Sequence, residues 1–346
     1  MVRVALVGVG NASSAFVQSL ELFNNKHDIY GMHKFLEEPI EIVAAFDIDK
    51  RKVGKPLKEA IFSPPNVVAK YTEVRNDLIV LRGPTLDGRE GILSDIIDES
   101  DDQPVSVRDE LIRTKAEVVV SLLPTGTDKA SRFYAEESLE AGAAFINTTP
   151  SAVAKELGQK FYQSKIPIFG DDLLSQIGGT AAHVGIISFL RERGVKVVRS
   201  YQVDIAGTTE ATISLEGWRK ELKKGLKSNL IATVSDGAEV TAGTSDYVGF
   251  LGDRRVSYMV IEGIYSFGVP VRVDVSMKTY DGPNAVVPLL ELVQLAKIFL
   301  GERKGGPLKE VCSLYFKSPP EQDSLSLEER RRRLEDLMMK ELRSDR

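Results

Sequence analysis

Residues Val2 to Val7 form a mostly apolar, valine-rich run. It leads straight into Gly8-Val9-Gly10-Asn11-Ala12-Ser13-Ser14 and then into a helical pattern carried by Phe16, Val17, Leu20 and Phe23. A strand, a glycine turn and a helix N-terminus in that order can hold the pyrophosphate of a dinucleotide. Gly8 permits the tight turn, Gly10 lets the backbone approach the phosphate, and the first helical N–H groups carry partial positive charge. A second apolar run, 40–48, carries Asp47 and Asp49 near its end. A carboxylate there binds a ribose hydroxyl pair and repels a 2′-phosphate, which favours NAD over NADP. Ser13 or Ser14 stands in place of the third glycine of the fingerprint, so a structural strand–turn–helix without a ligand is the competing reading.

The opening pattern recurs. Strand-like runs at 2–7, 40–48, 78–82, 117–122, 143–147 and 166–169 alternate with helical patterns, notably at 128–141 and 151–162. Such alternation predicts an α/β fold, a Rossmann-type doubly wound parallel sheet with helices on both faces. After His183 the texture changes. A helix at about 180–193 gives way to alternating runs at 197–205, 256–261 and 269–277, with a lysine-rich helical stretch, 218–230, between them. These runs read as antiparallel strands with one half-buried face. A strongly apolar helix is predicted at 287–300. The stretch 324–346, with four consecutive arginines from Arg330 to Arg333, reads as a solvated helix or frayed tail.

Composition narrows the functions. The chain has 45 Lys and Arg against 50 Asp and Glu, a net charge of −5, which gives no basic footprint for nucleic acid. Cys312 is the single cysteine, and His27, His33 and His183 lack metal-ligand spacing, so neither an internal disulfide nor a metal site is expected. No apolar run of membrane-spanning length and no leader is read from the sequence, so a cytoplasmic location is expected.

Ligands of a doubly wound sheet bind at the carboxyl ends of its strands. Three polar turns fall there: Leu123-Pro124-Thr125-Gly126-Thr127, Asn147-Thr148-Thr149-Pro150, and Gly170-Asp171-Asp172-Leu173-Leu174-Ser175-Gln176. Each alone is as well explained by a helix N-cap. Together, on the same edge as the glycine turn, they predict a cleft. The lysines of the second half are the other constellation. Lys223 and Lys227 are four residues apart and share a helix face, with Lys224 beside them. Lys278 ends a strand before Tyr280-Asp281-Gly282-Pro283-Asn284, and Lys317 sits in Tyr315-Phe316-Lys317-Ser318-Pro319-Pro320. Solvent-facing lysines are the commoner reading. The functional reading is a cationic pocket for a phosphorylated, carbonyl-bearing substrate. There ammonium groups hold phosphate, stabilise an enolate and, with a depressed pKa, move protons.

These stretches carry a resemblance, together with Arg82-Gly83-Pro84-Thr85-Leu86-Asp87-Gly88, Ser245-Asp246-Tyr247-Val248 and Lys317-Ser318-Pro319-Pro320. In order and over nearly its whole length, the chain resembles the myo-inositol-1-phosphate synthases, particularly their shorter archaeal and bacterial form. The resemblance implies a Rossmann domain at 1–195, completed by 286–346, and an inserted α+β domain at 196–285 for catalysis and homotetramer assembly. It implies that tightly bound NAD oxidises D-glucose 6-phosphate at C5. The acidified C6 then forms an enolate that attacks the C1 aldehyde, and the cyclic ketone is reduced again with no net redox change. Motif and resemblance together give cofactor contacts at Gly8, Gly10, Asn11, Ala12, Asp47, Thr125, Asn147, Asp171 and Ser175. They give a catalytic set of Lys223, Lys227, Arg255, Lys278, Asp281 and Lys317.

There are departures from the family pattern. Arg255 stands where the family has a lysine, and an arginine keeps the charge but cannot act as a base. Leu174 replaces a frequent lysine, Asp204-Ile205-Ala206-Gly207-Thr208 replaces an Asn-Gly-Gly-Asn loop, and Gly282 and Ala285 replace serines. A carboxylate at Asp204 is unfavourable near a phosphate unless a cation lies beside it. Some relatives use a divalent cation, which the resemblance allows and the sequence does not demand. Two alternatives stand beside the cyclase: a paralogous NAD-dependent enzyme on another sugar phosphate, and a non-catalytic NAD-binding regulator.

Overall fold

The computed structural model describes residues 1–25 and 38–344. One sheet holds six parallel strands: β1 (Val2–Val7), β2 (Ile40–Asp47), β3 (Leu81–Arg82), β4 (Val118–Ser121), β5 (Ala144–Asn147) and β6 (Ile168–Phe169). Their order is β3-β2-β1-β4-β5-β6. The central runs are rich in valine and buried on both faces, as parallel strands under helices must be. Strand order reverses between β1 and β4, and ligands of this architecture bind in the crevice at such a reversal. The expected strand at 78–82 shortens to two residues, and the rest of 66–112 is loops and short helices.

Helices cover both faces. Phe16, Val17 and Leu20 of helix Asn11–Phe23 pack with helix Val286–Gly301 on Val4, Leu6, Val118 and Ile146. Leu111, Tyr134, Leu157 and Phe161 pack on Ala5, Val7, Val119 and Phe145 from the other side. The stretch 281–301, 21 residues, is long and apolar enough to cross a bilayer by length and composition, which corrects the expectation that no run reaches that length. Here it is a core helix, and Leu289, Leu290, Leu292 and Leu295 are fully buried. The tail expectation also changes. Helix Leu327–Ser344 packs on helix Lys309–Tyr315. Arg330 is buried there, donating to the Ser313 carbonyl at 2.8 Å and to Asp323 Oδ1 at 2.9 Å.

A second sheet has the order β10-β9-β7-β8, from β7 (Lys196–Ala206), β8 (Glu239–Tyr247), β9 (Arg254–Tyr265) and β10 (Val269–Tyr280). β7, β9 and β10 are antiparallel neighbours, as alternation predicts. β8 was not anticipated and runs parallel to β7. Its Thr, Ser and Gly residues hide it. Gly243 lets helix Gly217–Val234 lie close, since a Cβ there would sit 3.5 Å from Cβ of Lys224. Ala181, Val184, Ile187 and Leu190 pack with Leu230, Ile231 and Val234 on Val197, Ala242 and Ile261. Helix Gly179–Glu192 therefore packs with the second sheet, ahead of the 195/196 boundary that the resemblance implies.

His27 and His33 lie outside the described residues. Cys312 is buried, and burial pushes its thiol up to about 12. Among the described residues, no group of His, Cys, Asp and Glu is placed to hold a metal ion.

Candidate active site

One cleft runs from the glycine turn to the inner face of the second sheet. Gly8 has φ of +86°, and a Cβ there would lie 3.0 Å from the Leu122 carbonyl oxygen. Only glycine fits that turn without strain. A Cβ at Gly10 would meet nothing within 4 Å, so the backbone is open to close approach. Helix Asn11–Phe23 begins there with no side-chain cap, leaving the N–H groups of its first turn for a ligand. Asn11 and Ala12 line the same wall.

Asp47 stands at the end of β2. Its Oδ2 accepts from Val9 N–H at 2.7 Å, and its Oδ1 accepts from Ile48 N–H at 2.7 Å and Asp49 N–H at 2.9 Å. The backbone thus fixes this carboxylate at the rim and leaves a lone pair on Oδ2 for a hydroxyl. Asp49, the other candidate, is fully buried and engaged by Arg51 away from the cleft.

The later turns divide. Thr125 and Ser175 line the cleft, whereas Asn147 and Asp171 sit behind its wall. Asn147 Nδ2 donates to Asp171 Oδ1 at 2.5 Å, and Ala154 N–H donates to the same oxygen at 3.1 Å. Burial pushes the Asp171 carboxyl up to about 7, and the donors from Asn147 and Ala154 oppose that rise. Asn147 and Asp171 therefore prop the start of helix Val153–Ser164 and lie outside the cleft lining, unlike the other expected cofactor contacts. Thr148, Thr149 and Asp172 form the wall itself.

The opposite end is built of ions. Helix Gly217–Val234 buries a stripe of Arg219, Lys223, Lys227 and Ile231, each one turn from the next, while Lys224 faces solvent. Lys223 Nζ lies 3.4 Å from Asp172 Oδ1 and 3.3 Å from Glu210 Oε1. Lys317 Nζ donates to Asp172 Oδ1 at 2.7 Å. Lys227 Nζ donates to Asp204 Oδ2 at 2.5 Å, and Arg255 Nη1 reaches that oxygen at 3.4 Å. Arg255 also grips Asp281 with two bonds, of 2.5 and 2.9 Å.

Four cations therefore interleave with four carboxylates, and the balance differs from group to group. Burial would raise the Asp204 carboxyl, but Lys227, Arg255 and Ser257 hold it well below the ordinary carboxylate range. The Coulomb objection to Asp204 is met by these two cations. Burial would likewise raise Asp172, and Lys223, Lys317 and Lys227 hold it down. Burial would lower Lys223, yet Asp172 and Glu210 raise it. At Lys317 burial wins over Asp172, and the amine is pushed down to about 8. It is the lysine here placed to exchange a proton near neutral pH.

Lys278 is the expected catalytic residue that the fold does not bring in. The β9–β10 register pairs Arg255 with Thr279 and Val256 with Lys278. Successive strand residues point to opposite faces, so Arg255 faces the cleft and Lys278 faces solvent. Three contributors were not foreseen. Asp172 was read only as part of a turn, yet it gathers two lysines, and its buried Oδ2 has no hydrogen-bond partner. Glu210 sits in the short helix Thr209–Ile213 after β7, and its carboxylate takes hydrogen bonds from Thr125. Arg219 donates to the carbonyls of Thr125 and Glu90, both at 3.0 Å, and ties the lysine helix to the first sheet. Glu210 lies beyond the strand-end turn, in helix Thr209–Ile213, so no strand-end pattern signalled it, and Arg219 gave no signal either.

Comparison with known proteins agrees with this geometry. The sequence profile described as myo-inositol-1-phosphate synthase matches residues 178–282. The inositol-3-phosphate synthase of Corynebacterium glutamicum is 38% identical over 341 residues, covering 93% of this chain and 94% of that protein. That of Mycobacterium tuberculosis is 37% identical over 336 residues, covering 93% and 92%. Among solved structures, one titled Ari2 superposes with a TM-score of 0.77 at 30% identity, covering 97% of this chain and 98% of that one. A myo-inositol-1-phosphate synthase-related protein from Thermotoga maritima gives a TM-score of 0.79 at 22% identity, covering 94% and 95%, and attests the shared fold.

Proposed function

This chain belongs to the myo-inositol-1-phosphate synthase family, and from that premise we propose the following reading of its cleft. The protein converts D-glucose 6-phosphate to 1L-myo-inositol 1-phosphate by oxidation, enolisation, intramolecular aldol closure and reduction. One observation carries the assignment: Lys223, Lys227, Arg255 and Lys317 converge in the same cleft as the glycine turn.

The glycine turn, the open helix start and Asp47 suit a dinucleotide, with Gly8, Gly10, Asn11, Ala12, Asp47, Thr125 and Ser175 as its contacts. Bound NAD supplies the hydride acceptor and later the hydride donor. Gly178, Gly179 and Thr180 begin helix Gly179–Glu192 on the cleft wall beside Lys227, and N–H groups with a lysine suit the substrate phosphate. Lys223 stabilises oxyanion charge, and Lys317 takes and returns a proton at its Nζ. Arg255 stays charged and orients Asp281. Among the described residues no group of His, Cys, Asp and Glu is placed to hold a metal ion by itself, and the charge compensation proposed here uses these side chains. Val198, Tyr201 and Val203 on the open face of the second sheet support assembly with further copies, as a homotetramer.

The test is to incubate the protein with glucose 6-phosphate and NAD and follow phosphorus NMR. Inositol phosphate without accumulating NADH is the expected result. Folded, NAD-bound protein that forms no inositol phosphate would move the search to other sugar phosphates.

A further inference from the structure

Behind Asp204 lies a line of buried polar side chains that no proposed chemical step uses. His183, on helix Gly179–Glu192, is fully buried. Its Nδ1 lies 3.1 Å from Gln202 Oε1, and its Nε2 lies 2.5 Å from Ser200 Oγ. Gln202 Nε2 donates to Asp204 Oδ1 at 2.9 Å, and Ser257 Oγ donates to that oxygen at 2.6 Å. Asp204 Oδ2 meets Lys227 and Arg255. Ser200, Gln202 and Asp204 alternate along the inner face of β7.

The hydrogen atoms can be counted along this line. An ionised Asp204 only accepts, so Gln202 must turn its NH₂ group toward it and its Oε1 toward His183. Oε1 accepts, so His183 Nδ1 must carry a proton. Ser200 Oγ also lies 2.7 Å from the Val260 carbonyl oxygen. With Nδ1 protonated and the ring neutral, Nε2 carries a lone pair, so the Ser200 hydroxyl proton goes to Nε2 rather than to that carbonyl. Burial pushes the imidazole down, to about 4, which favours the neutral ring with Nδ1–H. Every donor from His183 onward then points toward Asp204.

We infer that His183 is a positioning residue for the active site. Through Gln202 it fixes the orientation of the Asp204 carboxylate, and Asp204 in turn places the Lys227 ammonium and the Arg255 guanidinium. A carboxylate with only cations around it can rotate and share them in several ways. Two neutral donors on Oδ1 leave Oδ2 alone for the cations, so the cations are set before substrate arrives. The kinetic part of this inference rests on the cyclase reading, and the hydrogen-bond part does not.

The experiment has two arms. In protein labelled with ¹⁵N-histidine, one of the three imidazoles should show a protonated Nδ1 across pH 5.5–9, and its signals should move in Gln202→Leu. A buried imidazole with a bare Nδ1, or one unmoved by Gln202→Leu, overturns the inference. In the kinetic arm, His183→Asn keeps an N–H near the Nδ1 position and His183→Leu does not. The leucine variant should lose at least tenfold in kcat with NAD still bound, and the asparagine variant should recover most of it. Equal losses in the two variants would mean a merely structural histidine and would overturn the positioning role. The tautomer is read without substrate, so a wild type that forms no inositol phosphate would sink the cyclase reading and leave this arm to judge the inference.

Discussion

The two ends of the cleft are made differently. The glycine end is main chain: a positive-φ turn, the N–H groups of an uncapped helix, and one carboxylate held by three backbone donors. The cationic end is side chain: four cations and four carboxylates supplied by seven separated stretches of sequence between Asp172 and Lys317. Main-chain geometry is local and tolerates few residues, so it binds one ligand class firmly. An interleaved ion network is collective, and changing one member redistributes the rest. The cofactor end should thus tolerate damage at the cationic end, while the cationic end should be tunable by single charges.

The largest effect is expected at Lys227. Lys227→Ala should lower turnover by roughly 10³-fold or more while NAD stays bound, since it removes a cation and leaves Asp204 short of compensation. The same imbalance costs about 3–5 kcal/mol when one partner of a buried pair is deleted. Asp204→Asn added to Lys227→Ala should restore much of the thermal stability and none of the turnover. Full turnover in the single variant would dissolve the contrast between the two ends.

Gly8→Ala tests the other end. A methyl group 3.0 Å from the Leu122 oxygen, on a residue at φ +86°, adds strain of about 1–3 kcal/mol. NAD affinity should fall by roughly tenfold to a hundredfold if the turn shifts to absorb that strain. Calorimetric titration measures this, and the side chains around Asp204 should stay in place.

Lys317 should give the rate an acidic limb. Its amine is pushed down to about 8 by burial, so the neutral base accumulates and kcat/KM rises as pH climbs through about 8. The stability effect has the same sign. A lysine lowered from its ordinary 10.5 penalises folding in full below about pH 8, and the penalty is withdrawn as pH rises toward 10.5. Wild type should accordingly gain stability relative to Lys317→Met over that window. The smallest effect belongs to Lys278→Ala, which should leave kcat and KM within about twofold, because its side chain points away from the cleft.

Legibility followed the same division. The strand, turn and helix around Gly8 and Gly10 could be read directly, because a positive φ and an uncapped helix start are dictated by neighbouring residues. A parallel sheet with helices on both faces could be expected from alternation, while its strand order comes from the structure. The inward stripe of Lys223 and Lys227 was visible as spacing, although spacing alone could not say that the stripe faces inward. Lys278 shows where pattern fails: a one-residue step along β10 decides the face, and only pairing with β9 fixes that step. Asn147 and Asp171 are ambiguous in a different way. Polar residues at strand ends look alike whether they touch a ligand or cap the helix behind it. Arg219 and Glu210 both bond Thr125, 94 and 85 residues away, and no local pattern announces that link between the two sheets.

The central claim is that both ends serve one substrate in one cleft, with the cofactor recycled. Glucose 6-phosphate carrying deuterium at C5 tests it most directly. The account predicts inositol phosphate that keeps the deuterium, at the carbon that was C5, with no labelled NADH released. Product that has lost the label, or labelled NADH accumulating with each turnover, would contradict it.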